Sequence, residues 1–336
     1  MKVGVIGAGR IGSLHIRNIV KDRRVTEVVV TDVNAMAARE IAEEVSAQTV
    51  GSVSELWNSG LDAVLVCSST STHPDLILEA ARRGIPVFCE KPIALDPRAA
   101  LPVMKVAKAF EPRVHIGFPR RFDPGFVAAR DDLDAGRLGD VSLVRVTTLD
   151  PEPPPAAYVA GSGGMFRDQT IHDFDTLRWL LRDEVRAVSA IGVGRTVDYI
   201  RAAGDTDTAV TTVEFESGTL AVVTNSRVNG AGYDIRLELH GTKNAVAAGL
   251  ADFTPISSSE QGATFPQGPA ARFFTDRFSH AYRAELEEFI SFARGERESP
   301  CTIEDALRAS WVAEATDLSW REGRVVEISE VSPELP

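Results

Sequence analysis

Lys2-Val3-Gly4-Val5-Ile6-Gly7-Ala8-Gly9-Arg10-Ile11-Gly12 decides the fold. Residues of strand character run straight into a G-x-G-x-x-G, and Ser13-Leu14-His15-Ile16-Arg17-Asn18-Ile19 then carries apolar residues at helical spacing. The motif alone is weak evidence. A strand before it and a helix after it make it a dinucleotide fingerprint. The glycines permit a tight turn and close approach of a pyrophosphate, whose charge rests on the amides at the helix start, those of Arg10 and Ile11 among them. Glu27-Val28-Val29-Val30-Thr31 predicts the next strand, and Asp32 ends it about twenty residues beyond the last glycine, where a carboxylate can hold the adenosine ribose hydroxyls. That carboxylate repels a ribose phosphate, and Val33-Asn34-Ala35 supplies no arginine, so NAD is favoured over NADP.

The alternation continues to Val114-His115-Ile116-Gly117-Phe118, which reads as the last strand of a doubly wound parallel sheet. Ligands of such sheets bind beyond the carboxyl ends of the strands. Two stretches occupy those positions. Ser68-Ser69-Thr70-Ser71-Thr72-His73 follows the strand 62–67, and its hydroxyls are suited to line the ribose and nicotinamide. Glu90-Lys91-Pro92 follows the strand 85–89. A Glu-Lys pair is usually a solvated surface pair, but this one stands on the ligand-binding edge.

Composition changes near residue 140, where strands of period two begin: 141–149, 185–193, 207–215, 219–227 and 233–240. Such alternation predicts an antiparallel sheet with one covered face and one polar or interface face. The chain thus divides into a Rossmann dinucleotide-binding domain over 1–120 and an α+β domain with a large, mostly antiparallel, open-faced sheet over 121–336, the C-terminal helix being a candidate to pack back on the first. Within the second part, Gly161-Ser162-Gly163-Gly164 leads into a helical pattern containing Asp168 and His172. Four residues apart, a carboxylate and an imidazole share one helix face, and the pair can hold and release a proton near neutral pH. The Pro-rich run 150–157 reads as a stiff loop, and 253–271 as an irregular one.

The 336 residues are 44% hydrophobic and 25% charged, as in an ordinary globular protein of two domains. A formal charge of −12 and no long basic run speak against a nucleic-acid partner. Met1 leads directly into a strand pattern, and no apolar run reaches membrane-spanning length, so no membrane and a cytoplasmic location are expected. Cys67, Cys89 and Cys301 have no C-x-x-C spacing and read as reduced structural thiols. Asp168, His172 and Asp175 form a D-x-x-x-H-x-x-D, but no other histidine lies at ligand-like spacing, and no metal is expected.

Gly7-Ala8-Gly9-Arg10-Ile11-Gly12, Ser71-Thr72-His73, Glu90-Lys91-Pro92 and the 168–172 segment together resemble the glucose-fructose oxidoreductase and inositol dehydrogenase (Gfo/Idh/MocA) superfamily over nearly the whole chain. Gly117-Phe118-Pro119-Arg120-Arg121-Phe122-Asp123-Pro124, the run Asp150-Pro151-Glu152-Pro153-Pro154-Pro155 and Phe166 to Asp175 are most similar to inositol 2-dehydrogenases. The resemblance implies oxidation of a secondary alcohol on a cyclitol or sugar, with Lys91, Asp168 and His172 catalytic and His73 near the cofactor. It implies polyol contacts at Tyr233 and Tyr282, to which we add Arg120 and Arg167 as cations able to meet an acid or phosphate group. It implies a homodimer or homotetramer, formed through the second-domain sheet. Another sugar or glycoside, an NAD-dependent glycosidase and a non-catalytic NAD-sensing regulator stay open on the same frame.

Overall fold

The structure, a computed structural model, describes residues 1–110, 113–250, 254–262 and 270–333. Part of the irregular loop expected over 253–271 therefore lies outside the described residues. The chain forms two compact units, 1–119 with 280–307 and 120–279 with 308–336.

In the first unit, β1 (Lys2–Ile6), β2 (Glu27–Thr31), β3 (Gln48–Thr49), β4 (Ala63–Val66), β5 (Val87–Glu90) and β6 (Val114–Gly117) form one sheet in the order β3-β2-β1-β4-β5-β6. Every pairing is parallel. Strands covered on both faces need apolar residues in succession rather than alternation, and Ala63-Val64-Leu65-Val66 is buried throughout. The strand order reverses at β1, so the fingerprint at its carboxyl end opens onto the crevice where such sheets bind ligands.

The sequence reading places everything after residue 120 in the second domain and reserves only the C-terminal helix for the first. The structure differs, because the segment 280–307 belongs to the first unit. Leu286, Phe289, Ile290 and Ala293, on the helix Ser279–Ala293, share one core with Val3, Val5, Leu65 and Phe88. Helical periodicity shows that a helix has an apolar stripe. It does not say which sheet the stripe covers.

In the second unit, β7 (Val141–Leu149), β8 (Val185–Val193), β9 (Thr208–Phe215), β10 (Leu220–Ser226), β11 (Asp234–Gly241), β12 (Ala245–Ala248) and β13 (Val326–Glu327) form a sheet in the order β12-β11-β7-β10-β9-β8-β13. One pairing departs from the antiparallel pattern: β7 and β10 run parallel, from Leu220↔Leu143 to Ser226↔Leu149. Parallel neighbours need a long crossover. Here it includes the helix Ile171–Leu181, whose residues are buried nearly all round.

Two buried ion pairs anchor that helix. Arg120 pairs with Asp173, which also accepts from Thr148 Oγ1 at 2.5 Å and Asn225 Nδ2 at 2.8 Å. Arg121 grips Asp175 through Nε at 2.9 Å and Nη2 at 2.5 Å. Among the described residues, no helix is long and apolar enough to cross a membrane.

Phe289→Ala tests the assignment of 280–307 to the first core. Phe289 is fully buried, so its truncation should cost about 3–5 kcal/mol in urea unfolding. A loss near zero would place that helix outside the core.

Candidate active site

In the first unit the three fingerprint glycines have different reasons to be glycine. Gly7 has φ +104°, and a Cβ there would lie 2.5 Å from the Cys67 carbonyl oxygen. A Cβ on Gly12 would lie 2.1 Å from the Gly7 carbonyl oxygen. Among the described residues Gly9 has no non-neighbouring atom within 4 Å of such a Cβ, so no packing contact there requires its bareness. It also precedes the helix Arg10–Ile19, whose start has no capping side chain and no acidic residue. Open space over amides at a helix start is what a pyrophosphate requires. Asp32 completes the cradle. Its Oδ2 accepts from the Ala8 N–H at 2.6 Å and its Oδ1 from the Asn34 N–H at 2.7 Å, while Asn34, not Asp32, caps the next helix. Fixed by backbone donors, each carboxylate oxygen keeps acceptor capacity for ribose hydroxyls. These residues fit NAD.

Ser68, Ser69 and Thr70 stand beyond β4 as expected, Ser68 Oγ lying 2.7 Å from Thr72 Oγ1. His73 joins this loop to the next one, with Nδ1 2.8 Å from the Pro92 carbonyl oxygen and Nε2 3.1 Å from that of Ser68. Burial draws its pKa below the ordinary histidine value, against the pull of the two carbonyls. Lys91, next to Pro92, is half-buried directly after β5. Glu90, expected at the cofactor, turns back instead and meets His15 Nε2 at 2.6 Å. Tyr282, expected at the substrate, is 7% exposed and packs edge-on against His15 at 5.7 Å in this same unit.

In the second unit Asp168 lies in a π-helical turn, Phe166–Thr170, that runs into the α-helix bearing His172. Such turns recur at functional sites. The Asp168 carboxylate is held from two sides: the Tyr158 hydroxyl donates to Oδ1 at 2.8 Å, and Arg227 donates to Oδ2 through Nη1 and Nη2, each at 3.2 Å. His172 is half-buried, with Nδ1 on the buried side. Arg120 is 4% exposed and committed to Asp173 and, at 3.2 Å, to Thr148.

Arg167, expected at the substrate, is engaged within its own unit. Its Nε and Nη2 reach Glu314 at 3.1 and 2.6 Å, Nη2 also reaches Asp317 at 3.2 Å, and Nη1 donates to the Gly163 carbonyl at 2.9 Å. With all three nitrogens engaged, it ties down the turn rather than offering charge to a substrate. Asp175, bound by Arg121, is likewise taken from any metal set with Asp168 and His172. Among the described residues the His/Cys/Asp/Glu trio close enough to share an ion is a different one, His115, Glu285 and Cys301.

Asp150 was not singled out in the sequence. It follows β7 and accepts from Gln169 Nε2 at 2.7 Å. Burial pushes its pKa up to about 7, the nearby Asp168 carboxylate adds to this, and Arg227 and Arg120 oppose it. Tyr233 stands beside it, its phenol held neutral well above the usual range by burial and by the same carboxylate. Its signals in the sequence are its place at the end of a strand, as for Asp32, and its place at the head of the run Asp150 to Pro155 that carries part of the resemblance.

Residues 1–118 match the oxidoreductase family with an NAD-binding Rossmann fold, and residues 126–247 match the GFO/IDH/MocA C-terminal domain. The chain belongs to this oxidoreductase family. It is 38% identical to an inositol 2-dehydrogenase from Rhizobium meliloti over 98% of this chain and 99% of that one. A putative myo-inositol dehydrogenase from Sinorhizobium meliloti superposes with a TM-score of 0.91 at 38% identity, covering 98% and 99% of the two chains. Scyllo-inositol dehydrogenase from Lactobacillus casei, solved with NAD(H) and scyllo-inositol, superposes with a TM-score of 0.88 at 28% identity, covering 98% and 99%. The family's NAD-binding domain therefore coincides with the glycine cradle described above.

Two outcomes follow from this geometry. Gly9→Ala should leave the melting midpoint of the cofactor-free protein unchanged and weaken NAD binding about tenfold or more, measured by calorimetric titration. A lowered midpoint would mean the protein itself needs that glycine. For Asp150, a folded pKa of about 7 lies above the ordinary 3.8, so the unfolded chain loses this proton first and stability falls as pH rises from about 4 to about 7. The fall amounts to roughly 4 kcal/mol. Asp150→Asn should abolish that part of the pH dependence in denaturant titrations, and an unchanged slope would show that Asp150 titrates normally.

Proposed function

We propose that this chain catalyses NAD-dependent oxidation of a secondary hydroxyl on a cyclitol to the ketone, in the manner of an inositol 2-dehydrogenase. The observation that carries the reading is the Asp168 carboxylate, fixed by Tyr158 and Arg227 one turn ahead of His172 on a helix anchored by two buried ion pairs. A carboxylate so fixed favours the charged imidazole formed when His172 takes a proton. The names of relatives at 38% and 35% identity, inositol 2-dehydrogenase and myo-inositol 2-dehydrogenase, support the substrate class.

Gly7, Gly9, the amides of Arg10 to Gly12, and Asp32 would hold the pyrophosphate and ribose, and the hydroxyl loop 68–70 would line the ring end. NAD bound there supplies the hydride acceptor. Lys91 donates a hydrogen bond to the reacting oxygen and stabilises charge developing on it. His172 removes the hydroxyl proton at Nε2, and Asp168 orients the ring. Tyr233 and Asp150 bind further hydroxyls of the polyol, where neighbouring donors and acceptors suit a ring bearing one hydroxyl per carbon, while Arg120 keeps its ion pair with Asp173. Tyr282, packed against His15, is a further polyol contact in this reading.

The open face of the second sheet supports a homo-oligomer. Ile191, Val193 and Val210 are 76%, 49% and 46% exposed on the neighbouring strands β8 and β9, Ile191 directly opposite Val210, and a second copy of the sheet would cover them. An NAD-dependent reaction on a small polyol supports a cytoplasmic location.

The test is turnover of myo-inositol, scyllo-inositol and free aldoses with NAD and NADP in parallel, read by the absorbance of reduced nicotinamide. Oxidation of an inositol with NAD is expected, and activity confined to aldoses would overturn the substrate class. His172→Ala should lower kcat about 10²- to 10⁴-fold with NAD affinity unchanged. Near-wild-type turnover of that variant from pH 6 to 10 would remove His172 as the base.

A further inference from the structure

Three strand ends of the second sheet carry a row of polar side chains. Leu149 of β7 is in register with Ser226 of β10 and with Asp234 of β11, so Asp150, Arg227 and Tyr233 each stand one residue beyond. The Asp150 N–H continues the ladder by donating to the Ser226 carbonyl at 2.8 Å. Only because β7 and β10 run parallel do Asp150 and Arg227 emerge at the same end. Arg227 is 2% exposed, and its Nε is buried with no hydrogen-bond partner among the described residues. Its two terminal nitrogens converge on Asp168 Oδ2. One buried cation thus pairs with Asp168 on the π turn and, from the neighbouring strand end in register with Asp150, also acts on the Asp150 carboxylate through its charge.

Resting on the dehydrogenase reading above, we propose that Arg227 is a positioning residue that fixes the Asp168 carboxylate and shares its charge with Asp150, so that protonation of Asp150 alters how firmly Asp168 is held. With Asp150 neutral, the guanidinium serves Asp168 alone. With Asp150 ionised, two carboxylates divide one cation. The groups facing Asp150 are Arg227, Arg120, Asp168, the Tyr233 phenol and the Gln169 amide, and its change of state falls near neutral pH. The orienting carboxylate of the reaction is thereby coupled to a group that also lines the proposed polyol site. A hydroxyl donating to Asp150 would act on the same shared charge.

The test uses the full-length protein and two readouts. The first is the melting midpoint against pH for the wild type, Arg227→Gln and Arg227→Lys, each compared with the same protein also carrying Asp150→Asn. The pH at which the Asp150-dependent difference levels off should rise by about one unit in Arg227→Gln and stay in place in Arg227→Lys. No movement overturns the sharing of charge, whether or not any polyol is turned over. The second is kinetic. Lysine keeps the charge but cannot make the paired contact to one carboxylate oxygen, so Arg227→Lys should lower kcat about 10- to 100-fold with the KM for NAD unchanged. Wild-type kcat in that variant overturns the positioning role, and this arm decides should Arg227→Gln fail to fold. A wild type inactive on every polyol overturns the dehydrogenase reading, and the positioning role with it.

Discussion

The parallel pairing of β7 with β10 is the constraint from which the second unit is built. Two neighbouring strands that run the same way cannot be joined by a turn, so the chain must leave the sheet and come back. The excursion supplies the glycine approach, the π turn and the helix Ile171–Leu181, together with strands β8 and β9 that extend the sheet. A helix crossing a sheet at that point is buried on nearly every side, which explains why Asp173 and Asp175 are ionic anchors and not surface charges. Leaving either carboxylate without its arginine would cost about 3–5 kcal/mol. That penalty holds the helix in place, and with it His172 and the π turn of Asp168 just before it.

The first unit solves a different problem with the same economy of means. Its sheet is uniformly parallel, and its ligand edge is made entirely of strand-end loops. Loops are ordinarily the least rigid parts of a fold. Here they are cross-tied: Asp32 binds the fingerprint amide of Ala8, His73 spans the loops after β4 and β5, and Glu90 is held by His15 from the fingerprint helix. Lys91 is thus flanked in sequence by two residues whose own contacts are buried.

What could be read from the sequence was whatever depends on near neighbours. The fingerprint, Asp32, Lys91 after its strand and the Asp168 to His172 spacing all rest on local periodicity. The structure has the first three at the strand ends expected and His172 on its helix, but puts Asp168 in a π turn before that helix, where the α-helical spacing does not apply. Features fixed by register across the sheet were not legible. Period-two alternation is the same whether a strand runs up or down, so the β7–β10 pairing, and with it the meeting of Asp150 with Arg227, has no signature in the chain. Arg167 shows the converse limit. An arginine one residue from Asp168 reads as a substrate contact until the helix Ile303–Glu322 brings Glu314 and Asp317 against it.

The unequal reasons for the three fingerprint glycines bear on how this frame can change over time. Gly7 and Gly12 are demanded by backbone atoms of the chain itself, whereas Gly9 answers only to what sits above it. A descendant that gave up its dinucleotide would still have to keep the outer two and would be free to drift at the middle one. Among proteins built on this scaffold, a side chain at that single place is therefore a sharper mark of a lost redox role than erosion of the motif as a whole.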